Sequence, residues 1–580
     1  MFRLFRYLKK YIVESILGPL FKMTEATFEL IVPVVMAKII DVGIKNNDKE
    51  YILRMGGVLV LLGVLGLACS LTAQYFAAKA SMGFGTALRK DLYHHLNKFS
   101  HSEIDKIGTS TLITRMTGDI NQAQTGINML LRLFLRSPFI VIGAIIAAFL
   151  INVKLTLIFI VASPVIAFII YLTMSLSIPR YTAIQKKVDK VSLLTRENLA
   201  GVRVVRAFSR QEEEKQDFKE TSESLMKHQI VVGRISALLN PATYVVVNSA
   251  ILAIIWFGGK TVYAGNLTQG EVIALVNYMS QILLALVALA NLIVILTKAS
   301  ASSVRINEIF NTKPQLTDEN AKKISENNSE NAIEFRNVSF KYSEEAENAV
   351  NGLTFTVKKG QTIGIIGGTG SGKSTLINLI PRFYEVSEGE VQVNGENVKD
   401  YTFTDLREKI GIVPQKAVLF KGTIRDNMRW GKADATDEEI YKALDIAQAR
   451  EFVDSKPDGL DTMIMQNGRN LSGGQRQRLT IARAIVKKCE ILILDDSASA
   501  LDYATDAKLR KAISEETDGL TVIIVSQRAT TIKNADSIIV MDDGEIVGKG
   551  THKELLKNCN EYREICQSQL TREEIERDEK

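Results

Sequence analysis

Six long apolar stretches in the first half of the chain restrict its fold more than any other feature. A helix that crosses a bilayer needs roughly 20 mostly apolar residues. Stretches of this kind lie near residues 16–40, 55–79, 129–151, 155–178, 241–262 and 272–297. Residues 13–310 are therefore predicted to form an all-α transmembrane domain with six spans in a lipid bilayer. The first span is the least apolar, because it carries Lys22, Glu25 and Glu29.

The connections between these stretches predict which side of the membrane each lies on. The joins at 41–54, 152–154 and 263–271 are short, whereas those at 80–128 and 179–240 are long and hold most of the Lys and Arg residues found in the five joins. Cytoplasmic loops carry an excess of these residues, so the long joins are expected inside. With six spans, both the amino terminus and the second half of the chain are then cytoplasmic.

Composition divides the rest of the chain into smaller regions. Residues 1–12 are basic and amphipathic, and predict an elbow helix at the membrane interface. Residues 311–330 are polar without periodicity and predict a linker. Residues 331–568 read as a globular domain, and residues 569–580 as a charged tail that ends in solvent.

The charge balance argues against nucleic acid as a partner. The formal net charge is +6 from 71 basic and 65 acidic residues, and there is no dense basic stripe with interleaved aromatic residues. The four cysteines have neither metal-ligand spacing nor the pattern of a disulfide framework.

The segment GGTGSGKST at 367–375 has the pattern of a phosphate-binding loop. It follows the predicted strand QTIGII and precedes a predicted helix, as a P-loop requires. The glycines let backbone N–H groups surround a phosphate, Lys373 reaches the β- and γ-phosphates, and the Ser374 hydroxyl suits Mg²⁺. The predicted ATP-binding residues here are Gly367, Gly368, Thr369, Gly370, Ser371, Gly372, Lys373, Ser374 and Thr375.

Two further motifs extend this site. ILILD at 491–495 is an apolar strand that ends in Asp495, a carboxylate placed to hold Mg²⁺ through water. LSGGQRQRLTIARAI at 471–485 begins a helix with a hydroxyl and two glycines, and a helix N-terminus binds phosphate. A second phosphate site is redundant within one domain, so it is predicted to serve another subunit's nucleotide. Its residues are Leu471, Ser472, Gly473, Gly474 and Gln475.

With LSGGQ in place, the chain resembles the bacterial multidrug-type ABC exporters over nearly its whole length. The resemblance implies a six-span domain of the type IV exporter kind. An α/β P-loop NTPase domain would follow, with an antiparallel β subdomain and a helical subdomain. It also implies a dimer in which each ATP lies between one subunit's P-loop and the other's LSGGQ, located in the bacterial inner or plasma membrane.

The resemblance assigns roles to further residues. Tyr342 in FKY matches the aromatic residue that stacks on adenine. Gln415 in VPQKAVLF matches the glutamine that touches Mg²⁺ and faces the membrane domain, so Ser374, Gln415 and Asp495 form the implied magnesium set. The D-loop positions are Ser499, Ala500, Leu501 and Asp502.

Three positions depart from the family pattern: Gln466 stands where a Glu is common, and the other two belong to the hydrolytic apparatus. Asp496 stands where the family has the Glu that polarises the attacking water, and it is one methylene shorter. Gln527 stands where the family has a switch His near the γ-phosphate. The latter two departures predict a degenerate-site subunit of a heterodimer whose partner carries Glu and His. A homodimer with two slow sites is the alternative.

Charged residues of the membrane half give weaker predictions. The stretches 109–122 and 207–214 resemble coupling regions, with Asp119 and Glu213 as contact candidates or as parts of plain solvated loops. Glu25 and Glu29 share one helix face. They either line a substrate cavity that favours cationic amphipathic molecules, or lie near an interface and pair with Lys22 or with the partner chain.

The prediction for function is ATP-driven efflux of amphipathic small molecules by one subunit of a heterodimeric exporter. A homodimeric lipid flippase and a peptide exporter are alternatives within the same fold. A regulatory or channel-like protein that ATP gates is an alternative of another class.

Overall fold

The structure is a computed structural model that describes residues 2–318, 321, 329–517 and 519–579. Much of the predicted linker at 311–330 therefore lies outside the described residues. Contacts divide the chain into two compact units. The first comprises Met1–Asn97 and Thr109–Thr312, and the second Lys98–Gly108 and Lys313–Lys580.

The first 311 residues are helical. Phe2–Tyr11 forms a 3₁₀ helix, and single π-helical turns occupy Ile39–Ile44 and Arg115–Asp119. The α-helices are α1 (Ile12–Lys38), α2 (Lys49–Leu96), α3 (His101–Ile107), α4 (Thr109–Thr114), α5 (Ile120–Leu133), α6 (Arg136–Ile151), α7 (Val153–Ala200), α8 (Val202–Ala207), α9 (Gln211–Ala237), α10 (Leu239–Tyr263) and α11 (Gln269–Asn311).

The predicted spans coincide with these helices, except that the span at 129–151 crosses the two-residue turn between α5 and α6. Among the described residues, five helical segments are long and apolar enough to cross a membrane: Lys49–Leu96, Thr109–Ile151, Val153–Ala200, Gln211–Tyr263 and Gln269–Asn311. Helix α1 is 27 residues long but is not among them. Its charged residues lower its hydropathy, so the sixth span remains a prediction.

The core of the first unit lies among α6, α7, α10 and α11. Phe159, Ile166, Ile254 and Tyr278 are fully buried there. Other apolar side chains of the same helices point outward, which suits helices that face lipid.

Helices α1 and α2 approach each other through small residues. A Cβ on Gly18 would lie 3.5 Å from the backbone nitrogen of Ala77. Ala73, Ala77 and Ala80 are almost fully buried. Small side chains of this kind let membrane helices pack closely.

All the strands found among the described residues lie in the second unit. They are β1 (Asn331–Phe340), β2 (Val350–Lys358), β3 (Thr362–Gly367), β4 (Glu388–Val393), β5 (Glu396–Asn397), β6 (Ile410–Val413), β7 (Gly422–Thr423), β8 (Met463–Ile464), β9 (Ile491–Asp495), β10 (Thr521–Val525), β11 (Ser537–Asp542) and β12 (Glu545–Gly550).

The helices of the second unit continue the numbering. They are α12 (Lys373–Leu379), α13 (Phe403–Glu408), α14 (Ile424–Arg429), α15 (Asp437–Ile446), α16 (Arg450–Asp454), α17 (Gly473–Val486), α18 (Tyr503–Glu516), α19 (Ala529–Ile532), α20 (His552–Asn558), α21 (Asn560–Gln569) and α22 (Arg572–Glu579).

Two sheets organise this unit. One is antiparallel with strand order β2-β1-β4-β5, and the other has the order β12-β11-β3-β10-β9-β6, in which only β12 is antiparallel. The central strands are apolar on both faces because both faces are covered. In β9, Ile491 and Ile493 pack in the core with the antiparallel sheet, whereas Leu492 and Leu494 pack with the helices.

Two peripheral segments join the second unit. The predicted charged tail forms α22, and its Ile575 is buried in the helical core, so the tail does not lie wholly in solvent. Helix α3 also belongs to this unit, although it lies between α2 and α4 in the sequence.

Candidate functional site

The P-loop wraps the start of α12 at the end of β3. Two of its glycines are required by close approach. A Cβ on Gly367 would lie 2.1 Å from the carbonyl oxygen of Met541, and one on Gly372, where φ is 89°, would lie 2.6 Å from that of Ala349. The loop can therefore present backbone N–H groups at a helix N-terminus, where phosphate binds.

Lys373 lies inside this loop. Its buried ammonium donates to the carbonyl oxygens of Gly367 and Gly368 and to the hydroxyl of Ser371. Burial lowers the pKa of Lys373, and the carboxylates of Asp495 and Asp496 oppose that change. The cation is thus held within reach of a phosphate in the loop.

The parallel sheet brings the other predicted residues to the same edge. Strands β3, β10, β9 and β6 are neighbours, so their carboxyl ends meet where ligands bind in α/β sheets. Asp495 ends β9, Gln527 follows β10, and Gln415 follows β6. The P-loop, Asp495, Asp496, Gln415 and Gln527 therefore form one site.

The residues around Asp495 fit a magnesium ion. Burial raises the pKa of this carboxyl group, and the nearby carboxylate of Asp496 raises it further. The side chain of Ser374 hydrogen-bonds to the same carboxylate and partly offsets the effect. Mg²⁺ prefers oxygen ligands and keeps several waters, so a hydroxyl beside a half-buried carboxylate suits it.

Hydrogen bonds hold both the backbone and the side chain of Asp496. Its φ is 44°, its N–H donates to the carbonyl of Val525 at 2.9 Å, and its carbonyl accepts from the Ser499 hydroxyl at 2.8 Å. The amide Nε2 of Gln415 donates to its Oδ2 at 3.3 Å. Burial raises the pKa of Asp496, while Gln415, Arg528 and Lys373 lower it.

Tyr342 stands at the edge of the P-loop helix. Its hydroxyl hydrogen-bonds to Thr375 Oγ1 at 3.0 Å, and its exposed ring packs edge-on against Phe340 and Tyr384. The ring is fixed and open to solvent on the rest of its surface, as an adenine-stacking residue needs to be.

The signature segment lies at the start of α17. Ser472 is its N-cap, and Ser472 and Gly473 are exposed. A Cβ on Gly474 would lie 3.2 Å from the carbonyl oxygen of Ala500, so the D-loop packs against this end of the helix. Asp502 in turn caps α18 through the N–H of Thr505 at 2.8 Å, which lowers its pKa.

The two glutamates predicted for the substrate cavity pair with basic residues within the chain. Glu25 pairs with Lys22, and both side chains are buried; Lys22 also donates to the Ser70 hydroxyl. Glu29 pairs with Arg136 at 2.7 Å, with 41% of its side chain exposed. Of the two predicted cavity residues, Glu29 is the more accessible.

The two coupling candidates, Asp119 and Glu213, have different surroundings. Asp119 is buried in the first unit and pairs with Arg115 and Arg305, because a desolvated carboxylate needs such partners. Glu213 is exposed and pairs with Arg210. Another segment of the long joins, Lys98–Gly108, belongs to the second unit, which the sequence did not predict.

Helix α3 contacts the rest of the second unit through two polar residues. The Tyr384 hydroxyl donates to Asp105 at 2.8 Å, and the His101 ring packs on Phe383 and Tyr384 with centroids 4.5 and 5.9 Å apart. Tyr384 also touches Tyr342. The adjacent aromatic residues Phe383 and Tyr384, at the end of PRFY, are a sequence signal that could have indicated this surface.

A P-loop site on a parallel sheet, joined in one chain to long apolar helices, defines a membrane-bound nucleotide-binding protein. Comparison with known families specifies it further. Residues 15–286 match the ABC transporter transmembrane region, and residues 350–499 match the ABC transporter family.

Several relatives align with most of the chain. The uncharacterized ABC transporter ATP-binding protein YfiB of Bacillus subtilis is 38% identical, with 98% of each chain covered. A probable multidrug resistance ABC transporter ATP-binding/permease protein of B. subtilis, YheI, is 35% identical over 83% of this chain and 82% of the relative. The ATP-dependent lipid A-core flippase of Photobacterium profundum is 31% identical over 91% and 90%.

A solved structure shares the fold. It is a bacterial Atm1-family ABC exporter with ATP bound, with a TM-score of 0.79, 24% identity and coverage of 97% of this chain and 99% of that one. The chain belongs to the ABC transporter family, as an exporter half-transporter with a transmembrane domain fused to its nucleotide-binding domain. It is an ATP-hydrolysing translocase.

Proposed function

We propose that this chain is the degenerate-site subunit of a heterodimeric exporter. In this proposal its own P-loop site holds ATP and Mg²⁺ but hydrolyses slowly. Its LSGGQ segment completes the P-loop site of a second half-transporter, which carries Glu and His at the two altered positions. The observation that carries the proposal is the fixed position of Asp496.

A general base must lie within hydrogen-bond reach of the water it activates. Asp496 is shorter than glutamate by one C–C bond, about 1.5 Å. Its backbone is tied at both N–H and carbonyl, so the main chain cannot move forward to compensate. Its carboxylate also accepts from Gln415, which turns it toward that side chain.

Gln527 supports the same proposal. It is exposed at the end of β10, and a glutamine amide can hydrogen-bond to the γ-phosphate but cannot take a positive charge. A histidine at this position could hold charge as it develops in the transition state. Binding of ATP is thus retained while the stabilisation of hydrolysis is reduced.

ATP then acts mainly as a conformational ligand at this site. Tyr342 stacks on adenine, the P-loop binds the phosphates, and Ser374, Gln415 and Asp495 hold Mg²⁺. Closure of the two nucleotide-binding domains around ATP shifts the population toward the outward-facing state. Hydrolysis at the partner's P-loop resets the cycle.

The proposed substrates are amphipathic small molecules, and the relative YheI is named a probable multidrug resistance transporter. Glu29 is the more accessible acidic residue of α1 and would favour cationic substrates. Glu213, on the exposed first turn of α9, stays a candidate contact in the cytoplasm. The location that follows is the bacterial inner or plasma membrane, with the nucleotide-binding domain inside.

The test is the ATPase rate of the purified full-length chain, alone and co-purified with its partner. The ATPase rate of the chain alone should be far below that of the co-purified pair. Asp496→Glu should raise the rate of the single chain about tenfold or more, because the base regains its reach. Asp454→Glu, which lengthens an exposed carboxylate, is the matched control. Full transporter-like activity of the single wild-type chain would overturn the proposal.

A homodimeric lipid flippase is the second candidate, because a relative with 90% of its length covered is named as a lipid A-core flippase. It predicts that the single chain forms a stable dimer and that lipid stimulates its ATPase. Stimulation only in the presence of a second half-transporter would favour the heterodimer.

A further inference from the structure

The side chain of Gln569, the last residue of α21, bridges both ends of the segment that follows β10. Its Oε1 accepts from the N–H of Ala529 at 2.8 Å. Its Nε2 donates to the carbonyl oxygen of Gln527 at 2.7 Å. One amide thus binds the backbone on either side of Arg528, at positions 42 and 40 residues earlier in the sequence.

The N–H of Ala529 needs a partner from outside its own helix. Helix α19 has only four residues, and the first N–H groups of a helix have no intrahelical acceptor. The N-cap residue Arg528 supplies no side-chain acceptor, and Ala529 is fully buried. The Gln569 side chain therefore supplies α19 with the hydrogen-bond acceptor that an N-cap residue ordinarily provides.

The rest of this segment is fixed by its own neighbours. Ser526 is almost fully buried and donates its N–H to Ile365 of β3 at 3.0 Å. Its hydroxyl accepts from the N–H of Arg528 at 2.9 Å. The Gln527 carbonyl accepts from the Nε2 of Gln569. Together these bonds hold the backbone from which the exposed Gln527 side chain extends.

Helix α21 is a rigid support for this amide. Tyr562 and Cys566 of α21 are fully buried, and the Tyr562 hydroxyl hydrogen-bonds to His552 of α20 at 2.7 Å. Gln569 itself is exposed, so water can replace its amide in a variant. Its removal should then change the placement of Gln527 more than the folding of the unit.

We propose that Gln569 is a positioning residue for ATP hydrolysis, which sets the switch segment Ser526–Ala529 from the carboxyl-terminal helix. The proposal rests on the assignment of Gln527 to the switch position in the proposed function. The proposal assigns the positioning of Ser526–Ala529 to α21, a helix that contributes nothing else to the nucleotide site.

The first test is backbone hydrogen exchange in the full-length chain. Gln569→Ala should speed exchange in peptides covering residues 526–532 about tenfold or more, because Ala529 loses its acceptor. Gln567→Ala, an exposed glutamine on the same helix, is the matched control and should leave exchange unchanged. Gln569→Glu keeps the acceptor and should keep the protection. Unchanged exchange in Gln569→Ala would overturn the proposal.

The second test is ATPase activity in the Asp496→Glu/Gln527→His background, whose own site is expected to be active. Adding Gln569→Ala should lower kcat about tenfold with KM within about twofold, because displacement of a catalytic group costs rate. Gln569→Glu should lower kcat as well, since it cannot donate to the carbonyl of residue 527 at neutral pH. An unchanged kcat, or a loss that follows the unfolding temperature, would contradict the positioning role.

The two tests separate this proposal from the proposed function. An inactive Asp496→Glu/Gln527→His background contradicts the degenerate-site assignment, and the exchange experiment then decides alone on the Gln569 contact. If Gln569→Ala loses protection from hydrogen exchange but leaves the ATPase rate of an active background unchanged, only the positioning role is contradicted.

Discussion

Ser472 and Gln475 cap the signature helix reciprocally. The Ser472 hydroxyl accepts from the N–H of Gln475 at 3.3 Å, and the Gln475 side chain accepts from the N–H of Ser472 at 3.0 Å. This capping box holds the first turn of α17 while leaving Gly473 with open space around it. The exposed helix N-terminus is therefore ready to meet a phosphate from outside the unit.

Replacing Ser472 tests the role of this N-terminus in another subunit's site. Ser472→Ala should cost about 1 kcal/mol of stability as a lost cap. It should also lower the ATPase rate of the assembled transporter about 100-fold, because an aligned donor to the transferring phosphate is lost. Thr436→Ala removes the equivalent capping box of α15 and is the control. Equal loss of activity in both variants would indicate a structural role only.

The half-buried carboxyl group of Asp495 makes the stability of the nucleotide-free protein depend on pH. Its folded-state pKa is raised by burial, so its contribution to stability is present below the unfolded pKa of about 3.9 and is lost as pH rises through the folded pKa. At pH 7 the charged form therefore destabilises the unit.

Asp495→Asn should accordingly raise the unfolding temperature at pH 7 without nucleotide. Each kcal/mol regained corresponds to about 2–4 °C for a unit of this size, and the difference from wild type should shrink toward pH 4. Trp430 fluorescence can follow the transition, and Asp454→Asn on the surface is the control. The variant should also lose the stabilisation that Mg²⁺ and ATP give the wild type. A variant less stable than wild type at pH 7 would refute this.

Most of the nucleotide site could be predicted because its motifs encode local geometry. GGTGSGKST needs glycines at positions where a Cβ would strike Met541 or Ala349, and LSGGQ carries its own N-cap. The strand order then brings Asp495, Gln415 and Gln527 together, which follows from the rule that parallel strands end at one edge.

Contacts between segments that lie far apart in the sequence could not be predicted. Asp119 looked like a surface carboxylate, but Arg305, 186 residues later, buries it as an ion pair. Gln569 sits in a polar tail, and its role depends on where α21 packs. Helix α3 has no motif, and only its packing on Tyr384 distinguishes it from the rest of the long join.

Tyr384 links α3 to Tyr342, the proposed adenine-stacking residue. Tyr384→Phe keeps the ring contact with Tyr342 but removes the hydrogen bond to Asp105, an exposed bond worth about 1 kcal/mol. We expect ATP affinity to stay within about twofold, because the phosphate and adenine contacts are intact. Stimulation of ATPase by transported substrate should fall.

Substrate-stimulated and basal ATPase rates, measured in the same lipid nanodiscs, check this. Asp105→Asn, which still accepts the hydrogen bond, should retain the stimulation and serves as the control. Tyr441→Phe controls for loss of a tyrosine hydroxyl elsewhere in the unit. A lower ATP affinity with unchanged stimulation would place Tyr384 in nucleotide binding instead.

Gly270 tests the packing of α1 against α11. The carboxylate of Asp41 accepts from the Thr268 hydroxyl at 2.6 Å and from the N–H of Gly270 at 2.8 Å. A Cβ on Gly270 would lie 2.4 Å from the carbonyl oxygen of Ala37 and 2.6 Å from Asp41 Oδ2. Backbone atoms cannot yield as a flexible side chain would, so Gly270→Ala must push the two helices apart.

We expect Gly270→Ala to destabilise the membrane unit by about 1–3 kcal/mol, the usual cost of overpacking. Gly259→Ala in α10 is the matched control, since nothing lies within 4 Å of the added Cβ, and there the gain in helix propensity should be neutral or stabilising. Thermal unfolding of both variants in the same detergent gives the comparison. If Gly270→Ala were as stable as Gly259→Ala, the close approach of α1 and α11 at this point would be wrong.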